Sequence, residues 1–171
     1  MKSAILCLDA AYGPASAAAA GAVIHYWDAG AVEQMLVQRF HGQPREYEPG
    51  QFFRRELPLL MPIISSVDDP IRAIVIDGYV WLGANGLSGL GGHLFASLDS
   101  RIPVIGVAKT PYRNDTWSSP VLRGESKRPL FVTSAGMEKE DAVECIRRMH
   151  GNHRMPTILA LVDRAARSGL M

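Results

Sequence analysis

Cysteine is scarce in this chain of 171 residues, which contains only Cys7 and Cys145. Two cysteines cannot build the disulfide framework of a small secreted protein, and they are too few for a zinc site made of thiolates. Cys7 also lies within an apolar segment, where a free buried thiol is ordinary. Because Asp9 interrupts that segment, we expect no secretory signal peptide, and we predict a reducing, cytoplasmic location.

Long apolar runs and an excess of charge of one sign are also missing. The longest apolar stretches fall well short of the roughly 20 residues that a membrane-spanning helix needs, so we expect no membrane partner. The 18 lysines and arginines nearly balance the 17 aspartates and glutamates, which leaves a formal net charge of +1. No overall basic field therefore indicates a nucleic acid partner, although basic pairs occur at 54–55, 127–128 and 147–148.

Apolar patterning divides the chain into two parts without an intervening linker, so we expect a single domain over residues 1–171. The first part predicts an antiparallel meander of three strands. The second part alternates strands with helices, and its continuously apolar strands are typical of a parallel sheet. The predicted fold is α/β, a mixed sheet flanked by helices. The predicted strands are 3–8, 17–27, 32–40, 73–76, 102–108 and 130–133, and the predicted helices are 51–66, 137–150 and 156–167, with a short helix ending near 98.

Three carboxylates occupy positions that serve a site more readily than a core. Asp9 and Asp77 each end an apolar strand, and Glu56 lies in the opening turn of the first predicted helix. If the two strands are parallel neighbours, both aspartates emerge at one edge of the sheet, where the helix can bring Glu56. Acids held together repel one another unless a divalent cation neutralises them, so they are candidate Mg²⁺ ligands. On spacing alone, three unrelated surface acids are the alternative.

Short motifs that follow one another along the chain resemble those of the endonuclease V family. Their combination is specific, whereas any one of them alone would be weak, and Arg54 stands where the family has a phenylalanine. The motifs are Asp9-Ala-Ala-Tyr12, Tyr47-Glu-Pro-Gly50, Arg55-Glu56, Val75-Ile-Asp77-Gly78 and Pro103-Val-Ile-Gly-Val-Ala-Lys109, with looser matches at Gly89-Leu-Gly-Gly-His93 and His153-Arg-Met-Pro156.

The resemblance implies a ribonuclease-H-like fold and a role in DNA repair. The expected activity is Mg²⁺-dependent endonuclease hydrolysis of a phosphodiester on the 3′ side of a deaminated base such as inosine, in DNA or RNA, with Mn²⁺ as a substitute metal. Asp9, Glu56 and Asp77 become the metal ligands. Asp163 falls where the family has a further acidic or histidine residue near the metals, and its alternative is a solvent-facing helix residue.

The same resemblance implies residues that contact the nucleic acid. Lys109 is expected to contact the scissile phosphate, and a merely exposed lysine is the alternative. Tyr47, Pro49 and Gly50 match a loop that inserts into the base stack and supports an extruded base. Gly78 would let the backbone approach that base closely.

The segment after Asp77 departs from the family pattern, because its His-Pro-Arg is missing and Val80, Trp81 and Leu82 make it apolar. The departure indicates a changed base pocket or a contact between copies of the chain. It also keeps two other functions open. One is a nucleic-acid-binding module that has lost lesion cutting, and the other is a related nuclease acting on flaps, branched DNA or plain RNA.

Overall fold

One mixed sheet of seven strands organises the computed structural model, which describes residues 2–42, 46, 48, 49 and 51–171. The strands are β1 (Ala4–Tyr12), β2 (Ser16–Ile24), β3 (Gln34–His41), β4 (Ile71–Asp77), β5 (Trp81–Leu82), β6 (Leu87–Ser88), β7 (Val104–Ala108), β8 (Ser119–Val121) and β9 (Leu130–Ala135), and the helices are α1 (Phe52–Ser65), α2 (Leu90–Ser97), α3 (Lys139–Arg148) and α4 (Thr157–Ser168).

The order across the sheet is β3-β2-β1-β4-β7-β9-β8, while β5 and β6 form a separate hairpin. Strands β1, β2 and β3 are the predicted antiparallel meander. Strands β1, β4 and β7 are parallel, and β9 returns antiparallel to both β7 and β8. The predicted mixed sheet flanked by helices is therefore confirmed. Its central parallel strands are buried on both faces, which explains their continuous apolar runs.

Each face of the sheet has its own core, because successive side chains of a strand point to opposite faces. From β1, Ile5 and Cys7 pack in one core with residues of α3 and α4, such as Ile146 and Ile158. Leu6 and Leu8 alternate with them and pack in the second core, with the apolar residues of α1 and α2. Helices α1 and α4 therefore lie on opposite faces, and both can reach the end of β1.

Helix α1 confirms the predicted range and corrects one expectation. It extends from Phe52 to Ser65, with both Pro58 and Pro62 inside it. Its apolar face, including Leu60 and Ile63, is buried against the sheet, and such packing outweighs a poor local propensity. The helix begins at Phe52, so Glu56 is its fifth residue. It therefore lies after the opening turn, in which it was expected.

The apolar segment after Asp77 packs inside the protein. Val80 is fully buried, and its backbone N–H donates to the hydroxyl oxygen of Thr133 at 2.8 Å. The indole N–H of Trp81 donates to the carbonyl of Ser134 at 2.9 Å. These bonds attach the segment around the β5–β6 hairpin to β9. Within the described part of the chain, no helix has the length and apolarity to cross a membrane.

Candidate active site

The parallel strands bring two of the predicted acids to the same end of the sheet. Leu8 of β1 pairs with Ile76 of β4, so the residues that follow them, Asp9 and Asp77, stand at corresponding positions. Strand β7 lies on the other side of β4, and Lys109 directly follows its last residue. The ammonium Nζ of Lys109 is 3.5 Å from Oδ2 of Asp77.

Helix α1 adds Glu56, which is 7% exposed and therefore almost wholly enclosed. Burial, and then the charges of Asp9 and Asp77, raises the pKa of Glu56 to about 8. The hydroxyl of Tyr12 lies near this carboxyl and lowers its pKa, although among the described residues it has no partner in full hydrogen-bonding geometry. The surroundings of Glu56 therefore disfavour its negatively charged form.

The pKa values of the two aspartates show the same repulsion. Burial, and then the charge of Asp77, raises the pKa of Asp9 to about 7. Desolvation in the cleft raises the pKa of Asp77, although 41% of its side chain is exposed, and the nearby Lys109 opposes that shift. Asp163 on α4 adds to the repulsion, because its charge contributes to the raised pKa of both aspartates. Four carboxyls from four elements therefore act on one another.

Two cations contact this group of acids, each from one side. Lys109 pairs with Asp77, and Nε of Arg167 donates to Oδ1 of Asp163 at 3.1 Å. Within residues 2–42, 46, 48, 49 and 51–171, neither Asp9 nor Glu56 forms an ion pair. Arg55 is a third cation near the acids, and its charge lowers the pKa of Glu56 without forming an ion pair with it.

This donor set fits a divalent cation chemically. Carboxylate oxygens are the hard ligands that Mg²⁺ prefers, and a bound cation would offset the repulsion that raises the pKa values of Asp9 and Glu56. In the described part of the chain, no three histidine, cysteine, aspartate or glutamate side chains already converge as a closed ligand set. Binding would therefore require the carboxyls to rotate toward a shared ion and away from Lys109 and Arg167.

A cleft of about 550 Å³ lies beside the acids and is lined by Asp9, Glu56, Asp77 and Lys109 together with aromatic residues. Gly78 also lines it, at φ +131°, a conformation that residues with a side chain rarely adopt. Space on the Cβ side of Gly78 is open to 4 Å. A ligand can therefore approach the backbone closely next to Asp77.

Gly106 holds the Gly78 turn in place from β7. A Cβ at Gly106 would lie 2.5 Å from the carbonyl oxygen of Gly78 and 2.8 Å from Oγ1 of Thr133. We expect Gly106→Ala to destabilise the protein by about 1–3 kcal/mol, because the backbone beside Asp77 would have to move. Urea unfolding measures this loss.

A matched control is Gly13→Ala, where the added Cβ would come within 3.0 Å of the rotatable hydroxyl of Ser16 and no closer than 3.7 Å to any other neighbour. We expect that variant to stay within about 0.5 kcal/mol of the wild type. Equal stability of Gly106→Ala and the wild type would contradict the close packing of β7 against the turn.

The structure brings six of the predicted site residues together. Asp9, Glu56, Asp77, Gly78 and Lys109 share the cleft, and Asp163 adjoins Asp9 and Asp77 in a smaller pocket. Of the loop, Tyr47 and Gly50 lie outside the described residues. Pro49 is an exposed turn residue, and the turn is closed by a 2.9 Å bond from the Gln51 N–H to the Glu48 carbonyl. Their roles stay predictions.

Sequence reasoning did not assign a role to several residues that the structure places here. Tyr79 and Tyr112 line the cleft, and no periodicity or spacing distinguished them from ordinary loop aromatics. Arg154 donates from Nη2 to the carbonyls of Lys109 and Pro129, which fixes the backbone that carries the lysine. Its only sequence signal was its place in the late His-Arg-Met-Pro segment.

The site can be compared with known proteins now that its geometry is described. A family model described as Endonuclease V matches residues 2–164, nearly the whole chain. Among curated proteins, none matches significantly.

Solved structures give a fold match at low sequence identity. The endonuclease V of Streptomyces avermitilis is 20% identical with a TM-score of 0.78, covering 99% of this chain and 82% of its own. The catalytic domain of human endonuclease V is 19% identical with a TM-score of 0.79, covering 98% and 82%. Ciona intestinalis endonuclease V, solved with a 23mer DNA containing an inosine followed by a ribo-adenosine, is 15% identical with a TM-score of 0.77, covering 98% and 85%. At these identities the likeness shows the shared fold.

Proposed function

Since the chain belongs to the endonuclease V family, and is by that membership a nuclease, we propose that it cleaves nucleic acid strands containing a deaminated base such as inosine. The proposed reaction is metal-dependent hydrolysis of a phosphodiester on the 3′ side of that base, with a role in DNA repair. The observation that carries the proposal is the group of four mutually repelling carboxyls at the ends of parallel strands, with Lys109 beside it.

Asp9, Glu56 and Asp77 would hold Mg²⁺ or Mn²⁺, with help from Asp163. When bound, the ion supplies Lewis-acid stabilisation of the charge that develops on the phosphate oxygens. The enclosed position of Glu56 limits water around the carboxyls, which strengthens their electrostatic interactions. The protein therefore contributes a negative, partly desolvated ligand set at a fixed place on the sheet.

Lys109 would bind the phosphate that faces the acids. Its ammonium group contacts Asp77, and a phosphate would offer it an alternative anionic partner. Arg154 holds the carbonyl of Lys109, so the base of the side chain stays in position while its end changes partner. Gly78 leaves room on the same side for the approaching strand. These contacts would orient the scissile bond over the carboxyls.

Cleavage assays on matched strands test the proposal. Single strands and duplexes, in DNA and in RNA, would be compared with and without one inosine, in Mg²⁺, in Mn²⁺ and in a chelator. We expect metal-dependent cuts on the 3′ side of inosine and none in the unmodified strands. The product ends, read on a sequencing gel, locate the cut.

Other outcomes assign other functions. Tight binding of inosine strands without turnover in either metal would favour the binding module, and the nuclease proposal would fail. Equal cleavage of unmodified strands, flaps or branched DNA would favour a related nuclease with a different substrate. Cleavage that continues in the chelator would contradict the metal dependence.

A further inference from the structure

A pair of tyrosines lines the same cleft as the acids. The ring centroids of Tyr79 and Tyr112 are 5.8 Å apart, and the ring planes are inclined at 59°. Tyr79 is 9% exposed, and its hydroxyl donates to the carbonyl of Thr110 at 2.8 Å. Tyr112 is 44% exposed. The pair thus consists of a fixed inner ring and an outer ring that is open to the cleft.

Hydrogen bonds order the backbone of the segment that carries Tyr112, which begins at Lys109. Thr110 is held through the Tyr79 hydroxyl, and Pro111 restricts the next backbone dihedral. Beyond Tyr112, the N–H of Asp115 donates to the Tyr112 carbonyl at 3.2 Å. The carboxylate of Asp115 then accepts the N–H of Trp117 at 2.9 Å. The exposed ring is therefore presented by an ordered segment that begins at Lys109.

The cleft combines groups that suit the two halves of a nucleotide. Lys109 offers a cation for a phosphate, and Tyr112 offers an aromatic face, on which any base can stack. The cleft volume, about 550 Å³, is in the usual range for pockets that enclose a small molecule. A ligand with both an anionic group and a flat aromatic ring fits this lining better than a simple anion does.

We propose that Tyr112, supported by Tyr79, stacks on one unpaired nucleobase of the strand whose phosphate binds Lys109. The inference rests on the proposed function for the identity of the strand. It adds a second aromatic contact, separate from the one predicted for Tyr47. Because both faces of a base inside a duplex are covered by its neighbours, the contact requires the strand to be single or locally opened at this nucleotide.

Binding measurements on Tyr112 variants test the proposal without requiring cleavage. The probes are short single strands of DNA and of RNA that contain inosine and carry 2-aminopurine at successive positions, with Ca²⁺ in place of Mg²⁺. We expect Tyr112→Ala to weaken single-strand binding by about 5- to 150-fold. Tyr112→Phe and Tyr112→Trp should bind almost as well as the wild type, because they keep the aromatic face.

Tyr26→Ala is the matched control, since Tyr26 is 61% exposed and does not line the cleft. We expect its affinity to be unchanged. In the wild type, the fluorescence of one 2-aminopurine position should be quenched by stacking, and Tyr112→Ala should abolish that quenching. A loss confined to DNA or to RNA supports the contact and identifies the strand.

Two results would overturn the stacking contact. One is unchanged binding and quenching in Tyr112→Ala, and the other is a loss in Tyr112→Phe as large as in Tyr112→Ala. Failure of the proposed function has a different signature, because the wild type would then bind and quench the probes but cut none of them in Mg²⁺. The two failures are therefore distinguishable with the same set of strands.

Discussion

Asp77→Ala is expected to lower metal-dependent cleavage on the order of 10³-fold or more, while the protein remains folded. Strand β4 lies between β1 and β7. The Asp77 carboxyl therefore stands between Asp9 and Lys109, the residue that directly follows β7. Its loss would remove a metal ligand and the partner that positions the lysine. Among the described residues, Asp77 is the only acid in β4, so no other residue of that strand can replace it.

The stability of this variant should not fall, for an electrostatic reason. The pKa of Asp77 is raised in the folded protein, so near neutral pH the fold disfavours its charge more than the unfolded chain does. The destabilising effect is present at pH values above the pKa of Asp77 in the folded protein. It disappears as the pH falls below the pKa that Asp77 has in the unfolded chain. Removing the carboxyl also relieves the repulsion on Glu56, whose own pKa is raised by Asp77.

Two measurements separate the site from the fold in this variant. Calorimetric titration of the free protein with Mg²⁺ or Mn²⁺ should show weaker binding in Asp77→Ala, and thermal unfolding should show an unchanged or higher midpoint. Asp68→Ala is the control, because Asp68 is an exposed acid outside the cleft. Wild-type cleavage by Asp77→Ala would remove Asp77 from the metal site, and a large fall in the midpoint would contradict the electrostatic argument.

Arg123→Ala is expected to have the largest effect on stability, about 3–5 kcal/mol. The Arg123 side chain is buried, with 5% exposure, and it lies beneath the segment that joins α3 to α4. It donates to the carbonyls of His153 at 2.8 Å and Gly151 at 3.1 Å. Further bonds reach the carbonyls of Met149 and Arg154. Alanine would leave these acceptors without their donor and leave a cavity.

The loss should also affect the cleft indirectly. The segment that Arg123 holds includes Arg154, which in turn donates to the carbonyl of Lys109. At about 2–4 °C per kcal/mol for a chain of this size, the thermal midpoint should fall by roughly 6–20 °C. Arg123→Lys should fall between alanine and the wild type, because an ammonium group cannot reproduce the planar set of donors.

Urea unfolding of both variants measures the free energy directly, with Arg128→Ala as the matched control. Arg128 is an exposed arginine that lies, like Arg123, between β8 and β9, and its removal should lower the free energy of unfolding by less than about 0.5 kcal/mol. If Arg123→Ala unfolded at the wild-type urea concentration, the carbonyl bonds would not be the interactions that hold this segment.

Local patterns predicted the parts of the molecule whose burial is uniform. Residues 4–8 of β1 and 73–76 of β4 are apolar because both faces of these strands are covered there, and that property can be read from each segment separately. The predicted end of β4 placed Asp77 correctly, whereas β1 continues past the predicted end at residue 8 to Tyr12, so Asp9 lies within that strand. Strand boundaries were less accurate at β2, which ends at Ile24, while the apolar pattern extended to Trp27. Trp27 lies in the turn after β2 and is nevertheless buried, and burial alone does not distinguish a turn residue from a strand residue.

Short loops with tertiary partners were the least predictable. Val80 and Trp81 suggested a changed pocket or an external contact, but they bind β9 through partners 53 positions away in the chain. Tyr112 and Arg154 have no local pattern that separates them from other loop residues. Their positions near Lys109 depend on hydrogen bonds between segments that are 31 and 45 positions apart in the chain.

The sequence by itself determined which residues are available for chemistry: two acids that end apolar strands, a third on an adjoining helix, and a lysine that follows a further strand. Only the tertiary structure decided which of them meet. Strand β4 pairs with β1 although β2, β3 and α1 lie between them in the chain, and α4 brings Asp163 to the same end of the sheet. The reason is physical, since burial and periodicity are local properties, whereas contact between distant segments depends on how whole elements pack. The same packing buries the acids enough to raise their pKa values, which no single segment could show.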